Sequence, residues 1–533
     1  MRNLWLIALL VAGNLLAQSP VVYRTLPLGI PAGRTTEVRL IGERLNEVTD
    51  VWTSVADAKI VYTNRATLSL TLPKSSAGIG ALRVATTNGA SELTMFIIDD
   101  LPTAPEAGTN KSAATAQSIR KPIAVDGTTD ELALDYYAFE AKKGEITSLD
   151  VVASRIGSKL DPVLRIVDAK SHELVFCEDA RGVGRDCRIH FRASASGQYL
   201  AEVRDIAYQG GPQYFYRLRV GKIPFATCAY PLAAKPGTEL TVLGPPGEQF
   251  KPAKIEMPVA PYAIVMDTFV PVHTADIESQ QFEREPNDKR EQAMEIVVPG
   301  VINGRFEKAN DRDCFVFNAE KDQRWVFATR TRSFGSPCDV FLEVRDLEGK
   351  IIVSSNPSGP QDTSLTNQFK ESGRYFLMAK ELADGGAPDF VYQIEAKVFE
   401  PGFTMAVDDD KIEAKVGGET SLAVSCTRFD FSDKITVEFD GLPEGFKLEG
   451  ATIDAKKTNA TVKIKVPETA TPGRLLTFKV VGVAGEKRAK ASTLAALRRT
   501  FPLMLYPPAE LDGVIALGIT AQPPAPETKR KRT

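Results

Sequence analysis

The sequence predicts an all-β chain: serial antiparallel β-sandwich domains with little helix. Length is the first observation, since 533 residues at about 150 per domain call for three or four packed units rather than one core. Period-two alternation is the second. Short runs of β-branched and aromatic residues alternate with polar ones between Gly, Pro and Asn signals, and no helical stripe of useful length interrupts them. The third is an internal repeat in the middle of the chain. Hydrophobic residues at 43% and charged residues at 25% match a globular protein and argue against disorder, collagen-like repeats or an integral membrane bundle. Acidic residues exceed basic ones by 68 to 65, so no positive field favours a phosphate backbone and nucleic acid is not expected as a partner.

Residues 1–17 read as a cleaved secretory signal peptide: Arg2, the apolar run Leu4 to Val11, then Ala17 before Gln18. The alternative is a buried N-terminal strand or helix. Export places the chain in the periplasm or outside the cell. Once the signal is cleaved no transmembrane segment is expected, because Pro258 to Val272 and Gly513 to Ile519 are short or interrupted. Residues 21–100 carry Pro31-Ala32-Gly33, strand-like Thr36 to Ile41, and Gly80 to Thr86 before the turn pair Asn88-Gly89. With the phrase Leu40 to Leu45, this resembles the IPT/TIG branch of immunoglobulin-like domains.

The repeat occupies 106–222 and 283–398. Leu134 to Phe139 aligns with Arg312 to Phe317, and Gly157 to Leu164 with Gly335 to Leu342, in one register. Farther on Gly197 to Leu200 meets Gly373 to Phe376 and Tyr214 to Tyr216 meets Phe390 to Tyr392, in a register two residues shorter. In the second copy the strands are expected over Cys314 to Phe317, Arg324 to Arg330, Val340 to Arg345, Ile351 to Ser354, Arg374 to Ala379 and Val391 to Val398. Glu285-Pro286-Asn287-Asp288, Asn303-Gly304-Arg305, Asn310 to Phe315, Gly335 to Asp339 and Gly373-Arg374-Tyr375 together resemble the bacterial pre-peptidase C-terminal (PPC) domain. That resemblance implies a β-sandwich found beside secreted hydrolases and in large exported proteins. The first copy lacks the Glu-Pro-Asn-Asp opening at Glu106 to Thr109, which puts any ion-binding role there in doubt. Between the copies, 223–282 reads as a short β module or ordered linker. An Ig-like sandwich is expected over 403–506, with turns at Gly441 to Gly445 and Thr471-Pro472-Gly473, and a Pro-rich basic tail over 507–533.

Three histidines, far apart, are a poor supply for zinc sites or Ser/His/Asp chemistry. The chemistry worth pursuing is oxygen-based: Glu285, Asn287, Asp288, Asp311, Asp313 and Asp339 offer hard ligands for calcium, which takes six to eight of them. Asp311 and Asp313, two apart, share one face of an extended segment, and the PPC resemblance points to calcium, since some relatives of that module bind it near the N-terminal linker. The same residues equally serve as caps of turns through their own backbone. Asp408-Asp409-Asp410 reads as a solvated interdomain corner. In an exported chain, Cys177 and Cys187 flank a turn-rich segment and form the expected disulfide, as the staple of a hairpin; separate reduced core thiols are the alternative. Cys314 and Cys338 replace Tyr136 and Leu160 of the first copy, a paired change that suggests a second bridge. Trp325, Phe327, Tyr375 and Tyr392 read as core rather than a sugar-stacking platform. The expectation is a non-catalytic exported protein whose rigid sandwiches, spaced by linkers, bind, space or adhere at the cell envelope, with an envelope or extracellular protein or polysaccharide as partner. The alternative is an accessory portion of a secreted hydrolase, peptidase or glycosidase, or such an enzyme itself.

Overall fold

The computed structural model describes residues 18–521, apart from 65, 246–251, 258–261, 266–267, 276 and 278. Segment 1–17, where a signal peptide is expected, and residues 522–533 lie outside the described residues. Among the described residues strand accounts for 51% and helix for 5%, an all-β fold of many antiparallel sheets. The six strands expected in the second repeat coincide with observed ones, the widest departures being Arg312–Ala319 and Gly373–Glu381, which each extend farther.

The N-terminal sandwich faces the sheet Val21–Leu26, Thr35–Glu43, Thr67–Thr71, Lys59–Asn64 against Asp50–Thr53, Gly78–Thr86 and Thr94–Ile98. Alternation along Thr35–Glu43 turns Val38 and Leu40 inward onto Leu68, Leu70, Val84 and Phe96.

The two repeats fold alike, strand for strand. One sheet of the first orders Gln117–Ser118, Asp135–Ala141, Gly197–Asp205, Pro162–Val167, Glu173–Cys177; its counterpart orders Met294–Glu295, Arg312–Ala319, Gly373–Glu381, Val340–Arg345, Ile351–Ser355. The facing sheets run Cys187–Arg192, Ile146–Val152, Phe215–Gly221, Ile123–Thr128, Thr103–Pro105, and Ser364–Gln368, Arg324–Arg330, Val391–Val398, Gly300–Arg305, Gln280–Phe282. In each copy the entering strand pairs parallel to its neighbour, which carries the linker across the sandwich mouth. Trp325, Phe327 and Tyr392 lie in the second core, with Tyr375 packed against it.

Between the repeats, Cys228–Tyr230, Glu239–Leu243 and Ala253–Glu256 form a small sheet over Leu240, Val242, Val270 and Val272. The last unit is a larger β structure in which the sequence-based boundary needs correcting. Ile515–Thr520 is not part of a tail: it is a fully buried strand, parallel to Lys411–Lys415 and antiparallel to Leu475–Ala484. Its apolar run, Ile515-Ala516-Leu517-Gly518-Ile519, is what a strand covered on both faces needs.

Linkers do not space these units; the units pack on one another. The helix Leu494–Thr500 and the segment after it insert Leu497, Phe501 and Met504 among Leu28, Ile79 and Ile97 of the first sandwich and Val152, Ile156 and Phe215 of the first repeat. Buried charge pairs reinforce these joints. Arg83 of the first sandwich, 2% exposed, pairs with Asp410, so this end of the acidic triplet is an interior contact rather than a solvated corner. Arg217 donates to Asp99 Oδ1 and Oδ2 at 2.7 and 2.9 Å and to Asp126 Oδ1 at 2.7 Å, tying the first repeat to the segment that enters it. Arg181 of the first repeat reaches Asp389 of the second at 2.5 Å.

Candidate metal centre

The entering segment of the second repeat passes over the start of the strand Arg312–Ala319, which brings together carboxylates distant in sequence. Ligand oxygens of Glu285, Asp311 and Asp313 lie within 4.8 Å of one another. Asp313 is wholly buried, Asp311 nearly so, and Glu285 faces solvent. Asn287 is also wholly buried, and its amide position facing the cluster lies 3.3 Å from Glu285 Oε2 and 3.0 Å from Asp313 Oδ1. As a nitrogen that atom donates to both carboxylates; as an oxygen it joins them as a ligand. Asp311 Oδ2 accepts the backbone N–H of Glu307 at 2.7 Å, whereas Asp311 Oδ1 is buried without a hydrogen-bond donor.

Electrostatics point the same way. Burial raises the Asp311 carboxyl, and burial followed by the Glu283 charge holds Asp313 well above the usual carboxylate range. Glu283, half-buried beside them, is pushed up to about 8 chiefly by desolvation. Tyr392 Oη donates to Asp313 Oδ2 at 2.5 Å and to Glu283 Oε2 at 3.3 Å. Desolvation would raise Asp288 as well, but the exposed Lys308 ammonium, 3.2 Å away, holds it below its ordinary value. Lys308 is 3.6 Å from Asp311 Oδ1. The donors are hard oxygens of mixed carboxylate and amide type, some satisfied by the protein and one orphaned, and this set fits calcium. Glu285, Asn287, Asp311 and Asp313 would hold the ion, with Asp288 at its edge. Asp339 stands apart from them: its carboxylate pairs with Arg332, which also bonds Tyr506 Oη, so it belongs to the joint with the last unit.

The first repeat supplies a control within the same chain. Asn110 occupies the place of Asn287, its carbonyl accepting from Tyr136 N as Asn287's does from Cys314 N. The next residue is Lys111 where the second repeat has Asp288. Lys111 Nζ sits 2.7 Å from Glu106 Oε1, 2.5 Å from Asp135 Oδ1 and 3.4 Å from Asp130 Oδ2. Burial lifts Asp135 to about 7, with Glu106 adding to it and Lys111 opposing, because one ammonium is divided between two carboxylates. Sequence reading missed Glu283, Tyr392 and Lys308; Glu283 aligns with Glu106 and Tyr392 with Tyr216, so the repeat itself carried the signal.

No protein-family model matches the chain, and no curated protein matches it. Among solved structures it is similar to the pre-peptidase C-terminal domain of a collagenase from Bacillus anthracis, at 15% identity and TM-score 0.17, covering 22% of this chain and 100% of that one. It is also similar to fibronectin(III)-like modules of CbhA from Clostridium thermocellum, at 8% identity and TM-score 0.15, covering 40% and 100%. The four N-terminal Ig domains of Dscam1 isoform 8.4 align at 10% identity and TM-score 0.16, covering 94% and 100%. Function is therefore argued from the residues.

No disulfide is formed among the described residues, where all six cysteines are free thiols. Cys177 and Cys187, the pair expected to staple the hairpin, end and begin strands in opposite sheets and lie side by side: their side chains are hydrogen-bond partners, and Cys187 Sγ is 3.1 Å from the Cys177 carbonyl oxygen and 3.0 Å from that of Pro162. Cys314 and Cys338 cannot meet. Phe315 and Phe317 point into the core from their strand, which turns Cys314 outward, while Cys338 lies in that core against the Val391 carbonyl at 3.2 Å. Two histidines serve as packing: His190 stacks on Phe225 at 4.1 Å between ring centroids, and His273 on Phe334 at 4.0 Å. Burial lowers both to about 4. Among the described residues no helix is long and apolar enough to cross a membrane.

Proposed function

We propose that this is an exported, non-catalytic binding protein of the cell envelope, that calcium fastens the entrance of its second repeat, and that its partner is an envelope or extracellular protein or polysaccharide. The observation that supports the reading is the use made of buried charge. Arg83 and Arg217 are committed to joints, Lys111 neutralises the first repeat's entrance, and the matching entrance of the second retains a surplus of carboxylates. A fold that spends its ionisable groups on rigidity presents fixed surfaces, the property a recognition scaffold needs. The carboxylates of Glu285, Asp311 and Asp313 would neutralise the ion, the Asn287 amide oxygen would join them as a ligand, and together they would pin the linker to the sandwich.

Calorimetric melting of the full chain with calcium and with a chelator tests the first part. A ligand at a hundred times its Kd adds about 2.7 kcal/mol, so the melting temperature should rise by several degrees and the rise should vanish in Asp313→Asn. Cosedimentation with isolated envelope polysaccharide and with envelope protein tests the second. Turnover of protein or glycan substrates, abolished by substituting one acidic pair, would overturn the non-catalytic reading.

A further inference from the structure

Away from the acidic cluster, a half-open cavity of about 700 Å³ lies where the first sandwich, the first repeat and the small module meet. Its size falls within the range of small-molecule sites, which favour domain junctions. Each unit contributes apolar wall: Ala77 and Ile98 from the first sandwich, Pro122 and Ile146 from the repeat, Ile223 at the start of the module. Leu101 and Pro102 of the connecting segment complete it.

The walls are fixed in place. Asp99, at the head of the connecting segment, is gripped by Arg217 and lies 3.3 Å from Arg219. Most lining charges are already answered: Lys121 Nζ donates to Glu145 Oε1 and Thr147 Oγ1, both at 2.7 Å, Arg219 pairs with Asp150 at 2.8 Å, and Asp100 pairs with Arg34 at 3.4 Å. Lys74 and Lys222 are different. Both line the cavity, both are exposed, and neither carries an ion pair among the described residues.

We infer that this cavity binds a small amphiphilic anion, an apolar body bearing one carboxylate or sulfonate, with the body against Ile98, Ile146 and Ile223 and the anionic group between Lys74 and Lys222. Preformed apolar walls recover the hydrophobic free energy of the body without a reorganisation cost, and two unpaired ammonium groups select charge at its end. A neutral molecule of equal length would gain the first contribution and forgo the second.

The test is fluorescence titration of the full chain with 8-anilinonaphthalene-1-sulfonate, followed by displacement with decanoate and with decan-1-ol. One dye per chain is expected, displaced by decanoate at concentrations about tenfold below those decanol needs. Ala77→Trp, which puts an indole into the apolar wall and narrows the cavity, and the paired surface variant Lys74→Glu/Lys222→Glu should each weaken dye binding about tenfold, the charge variant less so at high salt. The charge variant alters only exposed side chains, so its result stands even if the filled variant folds poorly. No saturable dye site, equal displacement by decanol, or unchanged affinity in the charge variant would each overturn the inference.

Discussion

Arg217→Met probes the joint between the first sandwich and the first repeat. The guanidinium is 0% exposed and makes four hydrogen bonds: two to Asp99, one to Asp126 Oδ1 and one to Thr103 Oγ1 at 3.0 Å. Methionine preserves most of the buried stem and removes the charge. Asp99 then keeps Arg219, but Asp126 keeps only the Leu28 N–H at 2.9 Å and must take up a proton to remain buried. Protonating a carboxyl of ordinary pKa near 4 at pH 7 costs about 3 units of roughly 1.4 kcal/mol, or ~4 kcal/mol, within the range for breaking a buried ion pair. The sign follows from linkage: in the variant Asp126 binds its proton more tightly folded than unfolded, so the penalty is fully felt at neutral pH and shrinks as pH falls toward 4. Urea titration of a Trp5→Phe/Trp325→Phe chain measures it, because Trp52 then remains of the three tryptophans and packs beside this joint. Adding Asp126→Asn should recover most of the loss. A penalty below about 1 kcal/mol at pH 7, or one that does not shrink at pH 5, would refute the argument.

Phe501→Ala should cost about 3 kcal/mol and uncouple the last unit, seen as a split of one urea transition into two, since its ring fills the joint under Gly157, whose φ is +80°. Lys111→Met strands Glu106 and Asp135, so the first repeat should lose about 3 kcal/mol at neutral pH, less near pH 4, by the same urea titration. His190 and His273, lowered to about 4 by burial, take protons in the unfolded chain first; their contribution is intact above pH 6.5 and lost as pH falls toward 4, by about 3 kcal/mol for His273. His273→Phe should flatten that slope in melting curves recorded across pH.

Strand positions were legible because period two and the repeat are local or translational signals. Arg324–Arg330 shows its pattern in seven consecutive residues, and Asp135 finds Asp313 by alignment alone. The cluster was legible in part for the same reason: Asp311 and Asp313 flank a strand start, and Glu285 lies on the linker that crosses it. Asp339 was misplaced because sequence order within the repeat says nothing of which sandwich mouth a residue occupies. The joints were illegible. Arg83 looks like any strand arginine until Asp410, far along the chain, packs against it, and Ile515–Thr520 has too few residues to announce itself after a proline-rich break. Cys314 shows a limit of covariation by eye: it changed together with Cys338, yet Cys338 lies in the core before its strand begins while Cys314 turns to the other face of its own strand.

The two entrances solve one electrostatic problem in opposite ways. Each repeat sets a half-buried glutamate beside a buried aspartate and a buried tyrosine hydroxyl where the linker meets the sandwich: Glu106, Asp135 and Tyr216, or Glu283, Asp313 and Tyr392. In the first, Lys111 points its ammonium inward and Asp130 answers it from outside; in the second the signs are exchanged, with Asp288 and Lys308 in those places and Glu285 and Asp311 added. Moving the lysine outward removes the internal cation and leaves the carboxylates of the second entrance without one. If calcium closes the second entrance, as proposed above, a joint closed by its own lysine holds in any medium, whereas that joint tightens only where the ion is abundant. On that proposal the duplicated unit would give the chain one unconditional and one conditional joint from the same backbone.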